Sequence, residues 1–64
     1  MVCRECGAEM YFDDKDYHFK GCYDNYWNCP RCDTSCIESV RFSRTIKQVW
    51  HCENNGLVKD YEVI

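Results

Sequence analysis

Cys3-Arg4-Glu5-Cys6 and Cys29-Pro30-Arg31-Cys32 are two Cys-x-x-Cys knuckles separated by 22 residues of mostly strand-like sequence, and the fold follows from how they are read. Four thiolates in two close pairs can jointly wrap a tetrahedral cation, the closed, water-free coordination of structural rather than catalytic zinc. The same residues could instead form two disulfides or sit as ordinary buried thiols. Three observations favour metal. The cysteine count is odd at seven, Met1-Val2-Cys3 leaves no room for the charged and apolar regions of a signal peptide, and the cysteines open the chain in paired ligand spacing. A reducing cytoplasm, where thiols stay free to bind zinc, is the expected location.

Length makes a staple necessary, whether disulfides, a metal or oligomerisation. Sixty-four residues form one domain, 1–64, whose core supplies no more than about 3–5 kcal/mol. A staple must supplement it, and one zinc ion per chain is the expected cofactor. The formal charge is −3, with 11 acidic against 8 basic residues. Four lost thiol protons and the two charges of the ion take the loaded chain to about −5. That disfavours sequence-independent nucleic-acid binding, which relies on a basic surface. No run approaches the roughly 18 apolar residues of a membrane span, so the sequence predicts a soluble protein with no membrane partner.

After the first knuckle, Gly7 can take the positive φ that a tight turn around a bound thiolate requires. Ala8 to Phe12 has strand periodicity, Asp13-Asp14-Lys15-Asp16 reads as a hairpin tip, and Tyr17 to Tyr23 as the returning strand with a bulge at Gly21. The tip's acidic cluster lacks the spacing and glycine bend of a calcium loop. Asp24-Asn25 supplies a turn, and Tyr26-Trp27-Asn28 leads into the second knuckle, where Pro30 fits because a ligand loop does not need that backbone donor. This order of knuckle, aromatic hairpin and knuckle resembles the zinc ribbon, a family of small β-folds in which two knuckles clamp one ion. Small free-standing ribbons of this kind are frequent in bacteria and their phages. The resemblance covers residues 3–32 and implies Cys3, Cys6, Cys29 and Cys32 as ligands. Gly7 matches a common family glycine, whereas Asp33 stands where a second one is usual.

From Cys36 to Cys52 the even positions lean apolar, through Val40, Phe42, Ile46, Trp50 and Cys52, so the segment reads as one strand or as two with a bend near Ser43-Arg44. Asn54-Asn55-Gly56 before Leu57-Val58 is a hairpin signal. A two-residue turn at Asn55-Gly56 places Trp50 opposite Tyr61, and a three-residue loop shifts that register by one. The expected fold is therefore all-β: a zinc ribbon over 1–35, extended by the β segment 36–64 into an antiparallel sheet.

Cys22, Cys36 and Cys52 read as small buried hydrophobes. A second metal site built from Cys36, His51 and Cys52 is disfavoured because adjacent strand residues face opposite ways. An iron–sulfur cluster on Cys29, Cys32 and Cys36 is a further alternative. His18 and His51 read as surface or core-edge imidazoles. Nucleophilic catalysis needs a thiolate activated by a neighbouring base and a cleft to hold substrate; a 64-residue ribbon has little room for a cleft, so no enzyme is expected. Of the ten aromatics, Trp27, Phe42 and Trp50 are expected inside. Arg41 and Lys47 share one face of a straight strand and Arg44 the other, a weak phosphate footprint together with Arg31. The leading expectation is a protein-interaction adaptor, monomeric or dimerised by strand addition. Nucleic-acid binding through Arg41, Arg44 and Lys47 is the runner-up, and thiol redox or metal storage is third.

Overall fold

The computed structural model describes residues 1–54 and 56–64. Five strands run β1 (Tyr11–Phe19), β2 (Cys22–Asn28), β3 (Asp33–Arg41), β4 (Arg44–Asn54) and β5 (Leu57–Val63), each antiparallel to the next, in one sheet of order β1-β2-β3-β4-β5. No helix occurs among the described residues. The expected all-β antiparallel sheet with a cysteine cluster at its N-terminal end is what the chain forms. The molecule is elongated, 39 × 19 × 16 Å, with both knuckles at one end and two hairpin turns at the other.

The second knuckle is itself the β2–β3 connection, because Asn28 pairs with Ser35 on either side of it. The first knuckle precedes the sheet. An isolated bridge between Val2 and Glu9, and a bond from the Met10 amide to the Met1 carbonyl at 2.7 Å, fold residues 1–10 into a short strap. That strap covers one face of the sheet at the knuckle end. Cys3, Met10, Cys29, Cys36 and Trp50 form the buried core there, with Met1, Ala8, Trp27, Cys32, Tyr61 and Val63 packed around them. The register explains this composition. Trp27 lies opposite Cys36, Cys36 opposite Trp50, and Trp50 opposite Tyr61, so one row of side chains crosses four strands on the covered face. Trp50 and Tyr61 stack at 6.3 Å with an 8° tilt. This is the register of a two-residue β4–β5 turn, with Asn54 opposite Leu57. Asn55, half of the expected turn, lies outside the described residues.

The first hairpin turns later than the sequence suggests. Its tip is Lys20-Gly21 rather than Asp13 to Asp16, since Phe19 pairs with Cys22 and Gly21 takes a φ of 77°. Gly21 therefore makes a turn and not a bulge. The acidic run sits inside β1, and Asp24-Asn25 sits inside β2. β1 is an edge strand, and charged side chains there stay in water while discouraging pairing with other chains. Turn-forming residue types thus carry no turn. The register shifts of β1 fall at Asp13 and His18 instead.

The second half is two strands, joined by a turn at Phe42-Ser43. Both residues have positive φ, 53° and 67°, in a two-residue hairpin that normally selects Asn or Gly. A bulky residue in the left-handed region is an outlier costing about 1–3 kcal/mol. Phe42 is also 74% exposed, which overturns its expected place inside; a turn residue at the end of a single-layer sheet has no core to enter. A further register shift at Ile46 sets Arg41 opposite Arg44 and Ser39 opposite Lys47. Arg41, Arg44 and Lys47 consequently share one face, whereas a straight strand would have sent Arg44 to the other.

Asp24 anchors this end. Its carboxylate accepts from His18 Nε2 at 2.8 Å and from Arg41 Nη1 at 3.4 Å. Burial raises its pKa, but His18, Ser39 and Arg41 outweigh that and hold it below the ordinary aspartate value. A carboxyl with a depressed folded pKa stabilises the fold above its unfolded pKa of about 3.9 and loses that contribution as pH falls through the folded value. Asp24→Asn is expected to destabilise by about 1–2 kcal/mol at pH 7 and to flatten the acid limb of the stability curve; denaturant melts between pH 2 and 7 check both. Phe42→Asn is expected to stabilise by about 1 kcal/mol, since Asn tolerates positive φ. A lower melting temperature for that variant would show that the Phe42 contact with Gly21 outweighs the strain.

Candidate metal centre

The two knuckles are closed in parallel ways. The Cys3 amide donates to the Ala8 carbonyl at 2.8 Å and the Cys29 amide to the Thr34 carbonyl at 3.0 Å, so each is a loop pinned five residues on. In the first, the Gly7 amide also bonds the Cys3 carbonyl at 3.0 Å, and Gly7 takes a φ of 78°, as expected for that glycine. In the second, Asp33 enters β3 directly, and no glycine is required.

These loops bring Cys3, Cys6, Cys29 and Cys32 together with all four Sγ atoms within 4.8 Å of one another. Among the pairs, Cys6–Cys29 are 3.4 Å apart, Cys6–Cys32 3.6 Å and Cys3–Cys32 3.7 Å. None is a disulfide, which would need about 2.05 Å. A tetrahedral ion with metal–sulfur bonds of about 2.3 Å would set sulfur–sulfur edges of about 3.8 Å, and the cluster is close to that size. Its donor set is four soft thiolates with every tetrahedral position filled by the chain. The cluster is asymmetric in exposure: Cys3 and Cys29 are buried, Cys32 is half-buried and Cys6 is exposed.

Protonation is divided unevenly among the thiols. Burial opposes ionisation of Cys29, but the Arg31 amide, the Cys6 thiol and Cys32 donate to its sulfur and bring it down to about 6. Cys32 is helped by the Thr34 hydroxyl, yet burial and the other three sulfurs push it up to about 12. The cluster therefore holds protons that a metal must displace, and ligation strengthens as pH rises.

Contacts that the sequence did not reveal brace the site. The Arg4 guanidinium lies 5.9 Å from both the Trp50 and Tyr61 ring centroids. Lys59 donates to Glu5 at 3.3 Å. The two variable residues of the first knuckle thus tie it to β4 and β5, elements more than 40 positions along the chain. A Cys-x-x-Cys motif leaves those middle positions free, so it carries no signal of them. Thr34, 2% exposed, sits 3.1 Å from Cys32 Sγ.

Cys22, Cys36 and Cys52 are buried on the sheet as small hydrophobes and are not among the cluster's four sulfurs. Burial and, secondarily, the Glu38 charge push the Cys36 thiol to about 11, which keeps it neutral near pH 7. His51 bonds Asp60 at 2.5 Å across β4 and β5, on the face opposite Cys52. Arg31 lies exposed in the second knuckle, apart from the cations of β3 and β4 at the other end.

Fold and site together define a small all-β protein with a four-cysteine metal-binding cluster. Comparison with protein-family models, with curated proteins and with solved structures found no match.

Cys29→Ser is expected to lower metal affinity by at least about tenfold, while Cys36→Ala keeps it; elemental analysis after dialysis distinguishes the two. Metal affinity is also expected to fall as pH is lowered, because protons compete with the ion for the four sulfurs; metal titrations over a pH series check it.

Proposed function

We propose that the chain is a non-enzymatic protein-interaction module held in shape by one structural zinc ion on Cys3, Cys6, Cys29 and Cys32. The observation that carries this is the four-sulfur cluster itself, whose size and all-cysteine donor set suit a closed zinc site. The zinc-ribbon resemblance of residues 3–32 supports the same reading. Zinc binding at such sites is worth roughly 10–16 kcal/mol in small peptides, well above what a core of this size supplies. The role is structural because no coordination position is left for a substrate or water.

An interaction role is supported by the surface that the ion helps to present. The face opposite the strap carries a row of half-buried side chains, Tyr26, Ile37 and Val49, over which no element of the described residues is laid. β5 is the sheet's other edge, available to a partner strand.

Purified protein is expected to contain one equivalent of zinc. Chelation is expected to collapse the chemical-shift dispersion of residues 1–35. Two equivalents, or native dispersion after chelation, would sink the single structural site. A partner captured by the zinc-loaded chain and lost on chelation would support the interaction role; equal capture by both forms would oppose it.

A further inference from the structure

The end of the molecule away from the cysteines is an apex of two hairpin turns packed side by side. The Phe42 amide donates to the Gly21 carbonyl at 2.6 Å, and a Cβ at Gly21 would meet the Phe42 ring at 3.0 Å. Two wholly apolar rings project here, Phe42 at 74% and Phe19 at 67% exposure. Phe42 is held out by the strained backbone described above, and backbone strain of this kind tends to be retained where it serves a function. Lys20 follows Phe19 directly, Arg44 leaves the Phe42-Ser43 turn and Lys47 lies opposite Ser39 on the same face as Arg44, all three exposed and without an ion pair among the described residues. The carboxylates on the flanking strands are engaged: Asp24 by His18 and Arg41, and Glu38 by Asn25 and Thr45. Asp16, opposite Asp24, lies three residues behind Phe19. The apex is therefore the basic, apolar end of an otherwise acidic chain.

We propose that this apex docks on an anionic lipid surface, with Phe42 and Phe19 entering the interfacial layer and Lys20, Arg44 and Lys47 meeting the headgroup phosphates. Three observations select a bilayer. The apex consists of two adjacent turns at the end of their hairpins, a projection that a deformable plane can receive. The rings carry no polar group to be satisfied, so the acyl boundary can take them. The cations come from both turns, Lys20 from one and Arg44 and Lys47 from the strand leaving the other, and so spread across the apex as a headgroup layer would meet them. Charge complementarity fixes orientation, because the acidic cysteine end is repelled by the same surface. No helix of the described residues is long and apolar enough to span a membrane, so the contact is peripheral; the sequence expectation of no membrane partner considered spanning segments alone.

The test is co-sedimentation of the full, metal-loaded chain with phosphatidylcholine vesicles, with and without about one third phosphatidylglycerol. Binding to the anionic vesicles is expected to exceed binding to neutral ones by at least about tenfold and to fall at high salt. Phe42→Asn is expected to weaken it about tenfold while the melting temperature holds or rises, and Lys47→Glu to weaken it with the fold intact. Absence of vesicle binding, equal binding to neutral vesicles, or full binding by Phe42→Asn would overturn the proposal. Binding to oligothymidylate in place of vesicles would also overturn it, reassigning the apex to nucleic acid. Zinc content measured on the same samples keeps the outcome separate from that of the structural-metal reading.

Discussion

The gathering of four cysteine sulfurs at one end of the sheet is the constraint on which everything else depends. β2 and β3 meet through the second knuckle, and the first knuckle must fold back over the sheet to reach it. That folding-back lays Met1, Ala8 and Met10 on Trp50, Cys36 and Trp27. A meander of five strands has no second layer of its own. The strap supplies one over half of one face, and the cysteine cluster is what holds the strap down.

The strap is also fixed to the far end of the chain. Arg4 stands over the Trp50 and Tyr61 rings, and Glu5 meets Lys59. Each such contact is worth only about 0.5–1 kcal/mol. Their value lies in geometry: they set the angle at which Cys3 and Cys6 approach Cys29 and Cys32. The C-terminal hairpin is in this sense part of the metal centre, although it contributes no ligand.

The opposite end is organised by other means. No metal or strap reaches it, and its order comes from the Asp24 network and from contact between the two turns. Strain at Phe42 and Ser43 is tolerated because the long β3–β4 ladder on which the turn sits, closed by Arg41 opposite Arg44, determines the turn more strongly than the local preferences of those two residues. The result is a molecule about 39 Å long, with a strap-covered cysteine end and an exposed aromatic end.

The sequence by itself determined the elements whose signal is local and chemically specific. The knuckle spacing named the four cysteines, Gly7 marked the first loop, period-two patterning indicated an all-β chain, and the Asn-Gly signal offered the Trp50–Tyr61 register as one of two. Only the tertiary structure decided what depends on neighbours in space. Asp13 to Asp16 and Asp24-Asn25 read as turns because their residue types favour them, yet inter-strand pairing drew both into strands and left the bend to Gly21, whose positive φ costs nothing. Phe42 read as core because it is apolar, but the ladder ended beneath it. One extra residue at Ile46 moved Arg44 to the side of Arg41 and Lys47, since a period of two turns any single-residue shift into a change of face.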